Sequence, residues 1–275
     1  YLLAVIDLSH RERVKAVRRD FVANVSHELR SPLTAIRGYV EALAERQSEI
    51  PQGERIVGGL LRQTRRMNLM VDDLLQLTKI ETAKPFVPEE QTPLALKAFC
   101  QELVAQIDDQ QRQERDFAVK VPGKILLLIG RKKLFSLVNN LVENAIRHTA
   151  PDGRIDIRWR KLPQGGELQV RDNGEGIPAA HLPRVTERFY RVDSGRSRDA
   201  GGTGLGLAIV KHQMLRIGGD LRIASRPGIG TTVTLHFPPR VVKLAALSVD
   251  DDTDDVTLHP ELQERGVQFD AKELP

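Results

Sequence analysis

The amino-acid sequence predicts an α+β protein in which a two-helix hairpin precedes an α/β sandwich. Three observations carry this. Residues 11–81 repeat apolar side chains every three or four positions, the period of amphipathic helices. Residues after about 90 mix amphipathic helices with short alternating strands, the pattern of helices laid on a sheet. Between the two regions lies AKPFVPEEQTP, whose three prolines mark a linker. A length of 275 residues fits about two domains.

Taken in order, residues 1–7 alternate weakly and end in an acidic turn, like the last strand of an element that begins earlier. From Arg11 to Glu45, Phe21, Val25, Leu29, Leu33, Ile36, Val40 and Leu43 form one helical stripe, interrupted at Pro32, which removes a backbone donor. After QSEIPQGE a second helix runs to about Glu81 with Leu60, Thr64, Met67, Val71, Leu74 and Thr78 at four-three spacing. Two such helices enclose little core alone, so the seam is expected to pair with a second copy as a four-helix homodimer. In the second region LALKAFCQELVAQIDDQQ is read as helix and KILLLIG as a buried strand. RKKLFSLVNNLVENAIRHT is a strongly amphipathic helix through Leu134, Leu137, Val138, Leu141, Val142, Ala145 and Ile146. RIDIRWR, GELQVRD, DLRIAS and TTVTLHF read as strands, and LGLAIVKHQMLRIGG as a helix ending at Gly218 and Gly219. The stretch after Pro239 carries DDDTDD and little periodicity, and is expected to be largely disordered.

Composition narrows the function classes. Hydrophobic residues at 40% and charged residues at 28% exclude collagenous and wholly disordered chains. One cysteine, Cys100, excludes a disulfide framework and a multi-cysteine zinc site. No apolar run approaches the roughly 18 residues that span a bilayer. The net charge of +4 is unevenly spread: residues 241–275 hold three basic and nine acidic groups, leaving 38 basic against 28 acidic before them. A basic body suits nucleic acid, an acidic protein or a polyphosphate nucleotide. Zinc-finger spacing, an aromatic RNA-binding signature and an isolated lysine block are all missing, so nucleic acid is not an expected partner.

Five features carry chemistry. Asn140, Asn144 and Arg147 share the polar face of the leucine-rich helix. Alone, such a face is more often plain solvated surface, but two amide oxygens also suit a magnesium ion shared with phosphates. In DNGEGIP, Asp172 ends a strand, and Gly174 and Gly176 permit a tight turn against a flat ligand. Its carboxylate is placed to accept the exocyclic amine of adenine, although strand-end turns use the same residues. In GGTGLGLAIVKH, Gly201, Gly202, Gly204 and Gly206 precede a helix, an anion site or a simple hinge. It is neither a Rossmann nor a Walker loop. Residues 179–200, with ERFYRVDSGRSR, suit a mobile lid, and Phe189 and Tyr190 equally suit core anchors. Finally, a lone helical histidine is usually a structural or surface residue, but His27 in VSHELRSPL sits off the Phe21–Val25–Leu29 stripe and is expected to face solvent, where a neutral imidazole can act as a nucleophile and Glu28 can hold its other proton as a base.

Together these segments resemble the sensor histidine kinases of two-component systems. SHELRSPLTAIRGY is similar to their phosphoacceptor box, NNLVENAIRHT to the asparagine box, RDNGEGIP and GGTGLGLAIVKH to the two glycine boxes, and ERFYRVD to the phenylalanine box. LPRVTERFYRVDSGRSRDAGGTGLGLAIVKH, with RRDFVANVSHELR, further resembles the phosphate-regulon sensor kinases. The resemblance implies four segments: 1–10, the end of a truncated PAS-like sensory domain; 11–84, a dimerisation and phosphotransfer hairpin; 90–239, an ATP-binding domain of the gyrase, Hsp90, kinase and MutL (GHKL) type; and 240–275, an acidic tail. It implies His27 as phosphoacceptor with Glu28 as its base, and Ser31 where threonine is usual, keeping a hydroxyl for dephosphorylating the regulator. It implies ATP contacts from Asn140, Asn144, Arg147, His148, Asp172, Gly174, Gly176, Phe189, Arg191, Gly202, Thr203, Gly204, Leu205, Gly206 and Thr231, with magnesium at Asn140 and Asn144. Arg147 stands where many members have lysine. The implied protein is an ATP-dependent histidine kinase whose partner is a response-regulator receiver domain. The implied location is the cytoplasmic part of an inner-membrane sensor, the membrane region lying outside this chain. An ATP-hydrolysing clamp is disfavoured because it has no use for the His27 hairpin, and a silent dimerising scaffold because the boxes are intact.

Overall fold

A computed structural model describes residues 32–41, 50–82, 86–192, 202–245 and 266–269. The expectations for residues 1–10, the helical stripe at Phe21, Val25, Leu29 and Leu43, and the trio His27, Glu28 and Ser31 lie outside the described residues. The chain divides into two compact units. One takes Tyr1–Thr78, Arg188–Leu205 and Leu274–Pro275, and the other takes Lys79–Glu187 and Gly206–Glu273.

In the first unit, helix α1 covers 32–41 and helix α2 covers Ile50–Thr82. Pro51 falls in the first turn of α2, where a missing N–H leaves no bond unmade. The two helices approach closely at Gly59, where a Cβ would fall 2.5 Å from the Tyr39 ring. Gly59, Arg66, Met70 and Leu77 form the buried line of α2. The expected seam sits one position further round, with Thr64, Val71 and Thr78 exposed and Leu60, Met67 and Leu74 half-buried. On α1, Leu33 and Val40 are each 53% exposed, so this chain alone does not cover the stripe that the sequence marks as apolar. Thr64 and Thr78 satisfy their hydroxyls by donating to the Leu60 and Leu74 carbonyls one turn back.

The second unit is the sandwich. Its elements are β1 (Leu94–Ala95), α3 (Leu96–Ala105), α4 (Asp109–Gln113), β2 (Asp116–Lys120), β3 (Ile125–Leu127) and α5 (Arg131–His148). There follow β4 (Arg154–Lys161), β5 (Gly166–Asp172), α6 (Gly206–Arg216), β6 (Asp220–Arg226), β7 (Gly230–Phe237), β8 (Val242–Leu244) and β9 (Gly266–Phe269). The large sheet has the order β2-β4-β5-β7-β6-β9, parallel only between β2 and β4. A small antiparallel sheet has the order β1-β3-β8. The long helix read at 94–111 is in fact two, because Asp108 starts α4 afresh by accepting the Gln110 and Gln111 amides. Strand β2 was not anticipated: DFAVK is short and nowhere fully buried, so it carries no alternation to read.

Period-2 alternation turns Ile155, Ile157 and Trp159 of β4 and Leu168 and Val170 of β5 towards the helices. There they meet the leucine and valine face of α5, while Ala208, Ile209 and Met214 of α6 are buried beside it over β6 and β7. The opposite face is charged yet still covered: Asp156 lies beneath Arg154 and Arg158, and Glu167 beneath Arg160, whose aliphatic stems shield the carboxylates. Helix α6 ends in paired bonds, Gly219 N–H to Met214 O and Gly218 N–H to Leu215 O, with Gly218 left-handed at φ 72°. After Pro239, residues 240–245 and 266–269 are described, and the expectation of disorder for the rest lies outside the described residues. Val241 is fully buried and leads into β8, which pairs with β3, and Gly266–Phe269 adds β9 to the β6 edge. Apolar VVKL has a sheet edge within reach, so acidic composition further along does not decide its fate.

Candidate functional site

Helix α5 supplies Asn140, Asn144, Arg147 and His148 from its polar face, because its other face is held by the core. Asn140 is oriented by a bond from its Nδ2 to the Ser136 carbonyl at 2.7 Å, which requires the side-chain oxygen to be the free end. That Oδ1 points at the start of α6, where a Cβ on Gly206 would come within 2.7 Å of it. Ser136 in turn accepts Gln213 Nε2 of α6 through its hydroxyl at 2.8 Å, so one serine ties both helices together. Among the described residues Asn144 and Arg147 have no hydrogen-bond or ion-pair partner, and both reach solvent.

The last residue of β5, Asp172, is buried, and its Oδ1 accepts two backbone amides, Gly174 at 2.9 Å and Thr231 at 3.1 Å. Its Oδ2 has no partner among the described residues. Burial pushes the Asp172 carboxyl above the ordinary aspartate range, against the pull of those two amides and of His148 and Arg171. The glycines that follow are required by close approach. A Cβ on Gly174 would meet the His148 carbonyl at 2.1 Å, and one on Gly176 would meet the Arg226 carbonyl at 2.1 Å, with φ already at 71°. The loop is thereby stitched on both sides: Glu175 N–H donates to His148 O, and Gly228 N–H donates to Glu175 O. The side chains of Glu175 and His148 also meet, Oε1 to Nδ1 at 2.6 Å. Thr231 opens β7 with its hydroxyl 2.8 Å from that of Ser225.

The remaining expected residues belong to the other unit. Phe189 has a left-handed backbone at φ 64°, and its N–H donates to Gly204 O at 2.8 Å. Gly204 is itself left-handed at φ 73°, with a Cβ position 2.8 Å from the Phe189 carbonyl carbon. Strain of this kind persists only where surrounding contacts hold it. Arg191 donates to Gly202 O, and the Thr203 hydroxyl donates to Asp73 of α2 at 2.6 Å while accepting the Leu205 amide. His27, Glu28 and Ser31 lie outside the described residues.

Sequence reasoning missed Ser136, Gln213, Glu175 and Ser225, which touch the expected residues but carry no glycine or apolar period that marks them. The oxygen donors here are neutral amides, the kind that suits a hard cation already sharing charge with phosphates. No group of three or more His, Cys, Asp or Glu is placed to hold a metal among the described residues, whereas the amide oxygen of Asn140 is free and held in position. No described helix is long and apolar enough to cross a membrane.

Comparisons with known proteins give the family of the chain. Residues 17–83 match the family described as His Kinase A (phospho-acceptor) domain, and residues 130–241 match Histidine kinase-, DNA gyrase B-, and HSP90-like ATPase. The phosphate regulon sensor protein PhoR of Pseudomonas aeruginosa is 42% identical over 245 residues, covering 88% of this chain and 55% of that protein. The sensor histidine kinase WalK of Bacillus subtilis is 36% identical over 242 residues, covering 86% of this chain and 39% of that protein. The chain thus spans about half the length, or less, of these curated relatives. Two solved structures share the fold. The histidine kinase ThkA in complex with response regulator protein TrrA has a TM-score of 0.63 at 19% identity, over 83% of this chain and 64% of that one. The Acinetobacter baumannii histidine kinase AdeS has a TM-score of 0.61 at 20% identity, over 77% of this chain and 97% of that one. With phospho-acceptor and ATPase families matched in sequence and relatives similar across most of its length, the chain belongs to the sensor histidine kinases.

Proposed function

We propose that this chain binds ATP in the sandwich unit, phosphorylates itself on His27 and passes the phosphoryl group to an aspartate on a response-regulator receiver domain. The observation that supports this most is the Asp172 carboxylate, fastened through one oxygen by two amides with its other oxygen left to accept the adenine amine. The amide oxygens of Asn140 and Asn144 would hold magnesium together with the phosphates, and the ion would supply charge neutralisation at the transferring group. Arg147 and the amides at the start of α6 add positive potential for the triphosphate. A ring nitrogen of His27 forms the new P–N bond as the bond from the γ-phosphorus to the bridging oxygen breaks. ADP leaves, and Glu28 takes the imidazole proton. Phe189, Arg191, Gly202, Thr203, Gly204 and Leu205 form the lid segment in this reading.

The exposed stripe of α1 and the outer seam of α2 support a homodimer, in which these faces cover one another. Residues 11–84 would be the dimerisation and phosphotransfer domain. The ATP-binding domain would run from 90 to 245, six residues past the boundary at 239, because β8 completes its small sheet. Ser31 would orient water for regulator dephosphorylation. Similarity to phosphate regulon sensors supports a role in phosphate-starvation signalling and a place on the cytoplasmic side of a membrane receptor.

Incubating the chain and its His27→Ala variant with γ-labelled ATP and magnesium tests the central claim. Acid-labile, base-stable label on the parent alone is expected. Nucleotide binding without label on either protein overturns autonomous kinase activity.

A further inference from the structure

Three groups converge on the Ser225 hydroxyl. The Ile177 N–H donates to its Oγ at 2.8 Å, its Oγ lies 2.9 Å from the Gly230 carbonyl, and the Thr231 hydroxyl stands 2.8 Å away. A hydroxyl has one proton and two lone pairs. A carbonyl oxygen only accepts, so the serine proton goes to Gly230. The Ile177 amide takes one lone pair, and the remaining lone pair receives the Thr231 proton. Thr231 Oγ1 therefore has no proton left for a ligand and presents lone pairs alone. Next to it stands Asp172, whose Oδ1 is filled by the Gly174 and Thr231 amides and whose Oδ2 is an acceptor when ionised.

We infer that Ser225 is a positioning residue that sets base specificity: by taking the Thr231 proton it leaves two acceptors side by side, a pair that matches the two N–H bonds of an exocyclic amine. This rests on the ATP-binding reading above and deepens it. Adenine offers that amine. Hypoxanthine, the base of ITP, carries a carbonyl oxygen at the same place and meets only lone pairs. The discrimination arises from a proton count fixed at Ser225, which the Ile177 amide holds against the Gly174–Ile177 loop, not from the shape of the pocket.

The test displaces trinitrophenyl-ATP from the full chain with ATP and with ITP, for the parent, Ser225→Ala, Ser225→Thr and Thr231→Val. The parent is expected to prefer ATP. In Ser225→Ala the Thr231 hydroxyl is released and turns its proton to the hypoxanthine carbonyl, so the ATP-to-ITP affinity ratio falls roughly tenfold or more. Ser225→Thr keeps the proton acceptor and keeps the ratio. Thr231→Val removes one acceptor, so it lowers ATP affinity more than ITP affinity and also reduces the ratio, which tests the idea even if Ser225→Ala does not fold. Equal loss of both nucleotides in Ser225→Ala, or an unchanged ratio in Thr231→Val, makes Ser225 a structural strut and overturns the inference. A parent that binds neither nucleotide instead overturns the ATP-binding reading on which it rests.

Discussion

The Thr231 amide donates to Asp172 Oδ1 at 3.1 Å, a bond between the second residue of β7 and the last residue of its neighbour β5. Register makes it possible: β5 and β7 pair antiparallel with Arg171 opposite Thr232, so their ends project past the ladder at the same edge of the sheet. A Cβ on Gly230 would fall 2.1 Å from the Asp172 carbonyl, so only glycine lets β7 begin there.

That relationship predicts how ATP binding responds to pH. In the proposed site the ionised Asp172 carboxylate accepts from adenine, and burial holds its proton more tightly than usual. ATP affinity should therefore fall as pH drops, with a midpoint above the ~3.9 of an ordinary aspartate. Asp172→Asn should lose affinity at every pH and flatten the profile. The stability effect has the opposite sign. An acid whose pKa is raised by folding favours the folded state in its neutral form, and that contribution is lost as pH rises through the folded value. At neutral pH the variant should melt no lower than the parent. Isothermal titration and thermal unfolding across pH check both halves.

Glycine substitutions should separate close contact from backbone conformation. In Gly206→Ala the new Cβ meets Asn140 Oδ1, which cannot swing away without breaking its bond to Ser136. Roughly tenfold weaker binding of ATP with magnesium is expected, with little change in melting temperature. In Gly228→Ala nothing lies within 4 Å, and the strain of φ 75° alone remains. A stability loss of about 1 kcal/mol is expected there. Similar binding defects in the two variants would contradict this assignment.

Arg115 should matter for the end of α5. Its guanidinium donates twice to the Thr149 carbonyl, from Nε at 3.2 Å and Nη2 at 3.0 Å, just past the turn that carries Arg147 and His148. A cation there also complements the C-terminal end of the helix dipole. Arg115→Ala should cost about 1–2 kcal/mol in urea unfolding, and Arg115→Lys, with charge but no fork, only part of that.

The charged face of the sheet predicts an asymmetric pair of variants. Glu167 is buried beneath Arg160, which contacts it at 2.6 Å and 3.1 Å, with Arg222 at 3.9 Å. Arg160→Met keeps the covering stem but leaves a buried carboxylate with a weaker partner. Because Arg160 is partly exposed, a loss of about 1–2 kcal/mol is expected, rather than the 3–5 of a fully enclosed pair. Changing both residues, Arg160→Met with Glu167→Leu, should recover much of it. A double variant no more stable than the single one would show that the charges themselves hold β4 to β5.

Local patterning and long-range pairing each account for part of this molecule. Local rules sufficed for α5, where apolar residues at helical spacing bury one face and so present Asn140, Asn144, Arg147 and His148 together on the other. They sufficed for the end of α6, since Gly218 must be left-handed wherever that helix stops, and for the turn at Gly174 and Gly176. Strand β2 and the split between α3 and α4 escaped them, because a short half-exposed strand and a single capping aspartate leave almost no periodic trace. The line that α2 buries was displaced by one position from the apolar seam, because the seam records which residues are apolar and not what packs against them in one chain. The bonds that fill Oδ1 of Asp172 and direct Ser225 at Thr231 join residues 6, 48 and 59 positions apart. Such partners are chosen by strand order and register, and those follow from burying both sheet edges and helix faces at once, a condition on the whole chain that no window of sequence contains.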